Sequence, residues 1–325
     1  MLYVRLIFSR LAKALVVLFL IVIFNFFLIQ LAPGDPAAIL AGEAGATDEE
    51  FLRQLRERFG LDQPLYVQLW RYVSGIAMLD FGWSYRQQMP VLDLILARLP
   101  ATLLLTGTAF VMSLIMGIIA GSLAAARAKT ASGSAIMALA LIFYATPLFW
   151  IALMSVVLFS VYLDWLPAYG MITVGANHTG LALVVDVGKH LILPATTLAL
   201  FFMAIYTRMT RASMLEASQQ DFVKTARAKG LPPGIIQRRH ILRNALLPII
   251  TLAGLQAGQM VGGAILTETV FAWPGIGRLM YEALMQRDYN LILGIFFFSA
   301  ALVIVFNIIT DLVYRLADPR IKEVS

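Results

Sequence analysis

The sequence has no cysteine, so neither a disulfide framework nor a thiolate metal site can form. Charge is nearly as scarce. Only 14% of the 325 residues are charged against 60% hydrophobic, and the mean hydropathy is +0.81, far beyond what a soluble domain of this length carries. The chain is therefore an integral membrane protein. Its three histidines, His178, His190 and His240, are too scattered for a metal site, and none is expected. No G-x-x-x-x-G-K-S/T phosphate loop occurs, which excludes ATP hydrolysis by this chain. No Ser/His pair or H-E-x-x-H cluster falls at membrane depth, which stands against an intramembrane enzyme. Two-residue alternation is absent from the apolar runs, which excludes a closed β-barrel.

What is present is a series of long apolar stretches. A hydrocarbon core about 30 Å thick takes roughly 20 residues of helix. Six segments meet that length, at about 12–32, 101–126, 135–163, 191–209, 248–270 and 289–313. The fold class is accordingly all-α, a polytopic membrane protein with about six transmembrane helices. Arg5, Arg10 and Lys13 precede the first run as they would a secretory signal, but that run is too long, and no small-residue cleavage site follows. It reads as an uncleaved first helix.

Six spans place both termini on one side. That side carries 16 Lys and Arg residues, eight of them between Arg208 and Arg243; the other carries 9, diluted in its first loop by nine acids. The positive-inside bias puts the termini and the basic stretch in the cytoplasm. The domain reading follows: 1–32 is a cytoplasmic N-terminus with the first helix, 33–98 an extracytoplasmic helical segment, 99–313 a five-helix core and 314–325 a cytoplasmic tail. Within 33–98, Thr47 and Glu50 have capping-box spacing, and Phe51, Leu52, Leu55 and Phe59 share one helical face stopped by Gly60. LYVQLWRYVSGI at 65–76 forms a second amphipathic helix. DFGWSYRQQMPV at 80–91 is a Gly-containing loop before a third short helix. This segment serves either as a structural cap or as a docking surface for an external partner.

The basic stretch KTARAKGLPPGIIQRRHILRNALLPII at 224–250 cannot lie in lipid, where each cation costs several kcal/mol. Asp221 reads as an N-cap, FVKTARAK as a short helix, Gly230 as its stop and Pro232-Pro233 as the start of a second short helix. A loop that only oriented the protein would not need this punctuation. The small residues Ala226, Ala228 and Gly230 permit close approach of another surface, which favours a partner-docking element.

These residues resemble the EAA loop of membrane subunits in bacterial ATP-driven importers. Lys224, Thr225 and Ala226 stand where the general pattern has Glu-Ala-Ala, whereas Gly230 and Asn-Ala-Leu-Leu-Pro at 244–248 fit. The departure agrees with the dipeptide, oligopeptide and nickel branch. LAPGDP at 31–36, DFGWS at 80–84, RLPATL at 98–103, LILPATTLAL at 191–200, TRASMLE at 210–216 and TETVFAWPGIGRL at 267–279 are also similar to that branch. The resemblance spans nearly the whole chain. It implies a type I ABC importer permease, the inner-membrane component of a binding-protein-dependent system in the bacterial plasma membrane. By the same resemblance, 210–247 is a coupling loop in which Phe222, Val223, Lys224, Thr225, Ala226, Arg227, Ala228, Lys229, Gly230 and Leu231 engage a cytoplasmic ATPase. Its implied partners are a second homologous permease subunit, two ATPase subunits or domains that hold ATP and Mg, and an extracytoplasmic substrate-binding protein. No cofactor is bound by this chain, and nucleic acid is not a partner.

In the fifth span Gly254, Gly258 and Gly262 recur every four residues, a stripe for close helix packing. Gln256, Gln259 and Glu268 add polarity there and are the candidates for a translocation path or gate. Gly117 and Gly121 suggest the same packing in the second span. Pro147 permits a kink in the third, and Pro194 marks a kink or a helix start in the fourth. Trp150, Trp165 and Trp273 are assigned to membrane interfaces. The alternative function is an ion-coupled secondary transporter, against which stands the lack of an internal repeat and of ionisable residues deep in several spans.

Overall fold

A computed structural model describes residues 2–31, 49–59, 62–84 and 86–317. Thr47, Gly60, most of LAPGDP and residues 318–325 lie outside these, as do the side chains of Phe51, Leu55 and Phe59. The helices are α1 (Leu2–Leu31), α2 (Glu49–Phe59), α3 (Leu65–Ala77), α4 (Val91–Ala126), α5 (Ala131–Ala145), α6 (Leu148–Ser155), α7 (Leu181–Ala217), α8 (Asp221–Ala228), α9 (Leu242–Val270), α10 (Ile276–Gln286) and α11 (Tyr289–Ala317). Strands β1 (Trp83–Ser84) and β2 (Met89–Pro90) form a two-stranded antiparallel ribbon with Trp83 opposite Pro90. The architecture is helical, as the continuous apolar runs require.

Among the described residues four helical segments are long and apolar enough to cross a membrane: Val91–Ala126, Leu181–Ala217, Pro233–Met260 and Tyr289–Thr310. A fifth crossing exists if Ala131–Ala145 and Leu148–Tyr162, which meet at 100°, form one broken span. The expected continuous third helix at 135–163 is thus corrected. Thr146 and Pro147 are both extended, and Pro147 precedes the first residue of α6, so the chain turns sharply where a kink was expected. The last part of this segment, Val156–Tyr162, is wound as a wide π-type helix. In α1 the apolar stretch is Ala12–Leu28.

Other boundaries move because helices continue beyond the lipid-length runs. The third short outer helix and the second expected span are one helix, α4, 36 residues long with Pro100 inside it. Pro194 is buried in the interior of α7, 13 residues past Leu181, and does not start it. The helix expected after Pro232-Pro233 is not separate either. One turn at Pro233–Ile235 and a π-type stretch at Ile236–Ile241 lead directly into α9.

The chain divides into two compact units, one of residues 1–96 and 283–301, the other of residues 97–282 and 302–325. In the first, Phe26 of α1 lies against Tyr72 of α3 at 6.0 Å, and Gln30 donates to Gln68 at 3.0 Å. The ribbon is tied to the start of α11 by a hydrogen bond from buried Ser84 to buried Asp288. Asp288 also accepts from Leu291 N at 3.2 Å, which caps α11. Gly294 leaves room for Val91, whose side chain a Cβ there would overlap.

In the second unit α7 is central, with 67% of its apolar window buried against 28% for α4. Gly117 and Gly121 of α4 face it directly. A Cβ on either would overlap Tyr206 or Thr210 of α7, so the two backbones approach as only glycine allows. Ala109, Leu198, Phe202, Tyr206, Ile249 and Met260 form the core between α4, α7 and α9.

Candidate functional site

The basic segment forms a short helix on an apolar footing. In α8, Val223 and Ala226 are buried three residues apart and pack with Met214, Ala217, Ile236, Ile241 and Ala245. Phe222 and Leu231 close the edges of that cluster. The opposite face is exposed and carries Lys224, Thr225, Arg227, Ala228 and Lys229. Lys224 pairs with Asp221 at 2.8 Å, and that exposed pair contributes little stability. Asp221 is the first helical residue and Gln220 the cap position, one residue before the expected N-cap, with no side-chain capping bond.

Gly230 ends the helix as expected and for the expected reason. Its φ is +73°, its N–H donates to Arg227 O at 2.9 Å, and Leu231 N donates to Ala226 O at 3.3 Å. This is the Schellman pairing, in which a left-handed residue satisfies the last carbonyls of the helix. Pro232 and Pro233 then set the chain into the next turn, and Gln237 Nε2 holds that turn to Ser122 O of α4 at 3.3 Å. The short helix is thereby fixed at both ends to spans α4, α7 and α9. A groove of about 460 Å³ runs beside it, between Met214, Leu215, Arg227, Leu231 and Ile236.

The polar residues of α9 do not converge. Glu268 is 0% exposed and lies 12 residues, about 18 Å of helix, beyond Gln256. Thr102 Oγ1 donates to Glu268 Oε1 at 2.7 Å and accepts from Ile276 N at 2.7 Å, while Arg278 N donates to Glu268 Oε2 at 3.0 Å. The carboxylate thus sits against the first turn of α10, where backbone N–H groups favour an anion. Gly275 and Gly277 make this possible, since a Cβ on Gly275 would overlap the carboxylate and one on Gly277 would come within 2.6 Å of Ile265 Cα. Trp273 completes the clamp through Nε1 to Ala101 O at 2.8 Å. It is fully buried, which corrects its assignment to an interface, whereas Trp150 and Trp165 are exposed.

Gln256 is buried with its Oε1 unpartnered among the described residues, and Gln259 is exposed. With Thr251, Leu255, Gly262 and Leu266, Gln259 lies on one open stripe of α9. The glycine stripe is split in the same way. A Cβ on Gly254 would overlap Thr310 and one on Gly258 would lie 2.9 Å from Val303, both in α11, whereas nothing lies within 4 Å of Gly262. Among the histidines, His190 is buried beside Asp186, whose carboxylate accepts from Thr173 N and Thr173 Oγ1, each at 2.7 Å. No group of three or more metal-ligating residues occurs among the described residues.

Sequence reasoning missed Thr102 and Arg278 as partners of Glu268. RLPATL and TETVFAWPGIGRL each drew notice, but a contact across 166 positions leaves no local signal.

A helical membrane component with a short, capped helix between two of its long helices is the class that this architecture defines, and comparison with known proteins makes it specific. Residues 117–323 match the family model described as binding-protein-dependent transport system inner membrane component, and residues 3–106 match that of its N-terminal part. The chain belongs to this family, and it is a multi-pass inner-membrane protein. It is 38% identical over 327 residues to the di/tripeptide transport system permease protein DppB of Pseudomonas aeruginosa, covering 96% of this chain and 97% of that one. It is 37% identical over 319 residues to the dipeptide transport system permease protein DppB of Escherichia coli, covering 93% and 94%. Among solved structures, the inward-facing MetNI methionine ABC transporter matches 69% of this chain and 96% of its own at a TM-score of 0.57 and 18% identity, a likeness of fold.

Proposed function

We propose that the chain is the permease subunit of an ATP-driven importer of peptides, with α8 as the element through which a cytoplasmic ATPase moves the spans. The observation that carries this reading is the construction of α8. It has a buried Val223/Ala226 underside, a left-handed stop at Gly230 and an exposed face bearing Lys224, Arg227 and Lys229. A rigid helix footed on the ends of three spans transmits displacement, and exposed cations complement an acidic partner surface. The peptide-transport names of relatives near 38% identity support the substrate class.

The assembly comprises this chain, a second related permease, two ATPase subunits and an external binding protein that selects the peptide. The excess of basic residues on one side of the apolar runs supports an orientation with both termini cytoplasmic. ATP and Mg belong to the ATPases, since the sequence has no phosphate loop. Gln259 and its open stripe on α9 line the path, and Gln256 supports it from behind. Glu268 acts at the edge of that path by holding α10 in place.

The test is purification in mild detergent with mass spectrometry of accompanying chains and an ATPase assay. Recovery of ATPases and a second permease, with hydrolysis stimulated by an external binding protein, is the expected result. Purification of the chain alone, with solute uptake into ATP-free liposomes, would establish ion-coupled transport instead.

A further inference from the structure

A narrow crevice runs between α5 and α7, floored by Met137, Ala140, Ala204 and Ile205. At one end Tyr144 stacks on Phe201, with ring centroids 5.5 Å apart. At the other end stands Arg208. Phe201 and Arg208 are seven residues apart on α7, which makes the crevice about 10 Å long. Apart from Arg208 its lining is almost wholly apolar. A shallow apolar groove of this length between two membrane helices suits an unbranched methylene chain lying along it.

Arg208 supplies the second observation. Its side chain is exposed on a span-length helix, and it makes no hydrogen bond or ion pair among the described residues. An arginine in that position is costly unless it reaches the interface and meets an anion. In the proposed orientation Arg208 is the first cation at the cytoplasmic end of α7. We infer that the crevice binds an anionic phospholipid of the inner leaflet, with an acyl chain between α5 and α7 and the headgroup phosphate on the Arg208 guanidinium. The site is independent of which solute the transporter carries. It gives α7, the central helix of its unit, a lipid contact at the end from which α8 departs.

The experiment counts phospholipids that remain with the full chain, in whatever assembly it purifies, by mass spectrometry after exchange into a mild detergent. Arg208→Ala is expected to lower retained phosphatidylglycerol about fivefold, the weight of one interfacial cation, while phosphatidylethanolamine is unchanged. Arg208→Lys should restore most of it. Ala204→Leu fills the groove and keeps the charge, and should also release the lipid. Equal phosphatidylglycerol in wild type and Arg208→Ala would overturn the site. So would loss of a partner membrane subunit from Arg208→Ala at unchanged lipid content, or a raised peptide requirement for transport with no lipid change, which would assign Arg208 to a protein interface or to the path.

Discussion

Thr102 Oγ1 and Glu268 Oε1 lie 2.7 Å apart across 166 positions of chain, and their bond fixes the loop between α9 and α10. The same hydroxyl accepts from Ile276 N, so Thr102 joins the acid to the helix whose start the acid caps. Removing the acid strands the buried Thr102 hydroxyl and the partly buried Arg278 N–H. Glu268→Ala should therefore lower the unfolding temperature by several degrees, since each unsatisfied buried donor costs about 1–3 kcal/mol. Glu268→Gln, which keeps one acceptor, should cost less. Unchanged thermal stability of Glu268→Ala together with lost transport would move Glu268 from a clamp to the path itself.

Gly254 and Gly262 look equivalent in sequence and are not equivalent in space. Gly254→Ala must displace Thr310 of α11 and is expected to destabilise by about 1–3 kcal/mol. Gly262→Ala meets open space in a helix and should be neutral, or stabilising by up to about 1 kcal/mol. Thermal unfolding of the two variants in one detergent distinguishes them. Similar losses at both positions would mean that Gly262 is covered in the native membrane.

Gly230→Pro removes the bond to Arg227 O and cannot adopt a φ of +73°. Transport is expected to be abolished while membrane insertion is preserved, as read by peptide uptake against protein content of the membrane fraction. Gly230→Ala, at a strain of about 1 kcal/mol, should retain part of the activity. Normal uptake by well-inserted Gly230→Pro protein would refute the coupling role of α8.

Arg227→Glu with Lys229→Glu reverses charge on exposed positions that no packing depends on. Affinity for the ATPase should fall about tenfold or more at low salt, with a smaller difference at high salt, and the unfolding temperature should not change. Titration of the ATPase onto the permease in nanodiscs reads the first quantity. An affinity indifferent to both reversal and salt would place the docking contact elsewhere.

The short helix at 221–228 was legible because its stop signals are local, a glycine where the chain must turn left-handed and two prolines after it, whereas the expected small-residue surface is split, with Ala226 buried in the core and Ala228 exposed. Gly117 and Gly121 announced close packing for the same reason, although not that Tyr206 and Thr210 would be the neighbours. The third span misled because Pro147 reads alike as a kink or a break, and only the extended Thr146 and Pro147 backbone decides for a 100° turn. Trp273 misled because an aromatic near a span end is usually interfacial, whereas its indole N–H is engaged by Ala101 O in the interior.

Sequence by itself determined that the chain lies in a membrane as helices, since a bilayer leaves an apolar backbone few other ways to pair its own polar groups. It also determined where the one cationic, punctuated helix falls, since capping and charge act within a few residues. Tertiary structure alone decided that Glu268 serves α10 through Thr102, that Gly254 has a neighbour while Gly262 has none, and that α7 is far more buried than α4. Each of these depends on which distant segment arrives at a given face, and apolar periodicity is blind to that because lipid and a packed helix favour the same residues.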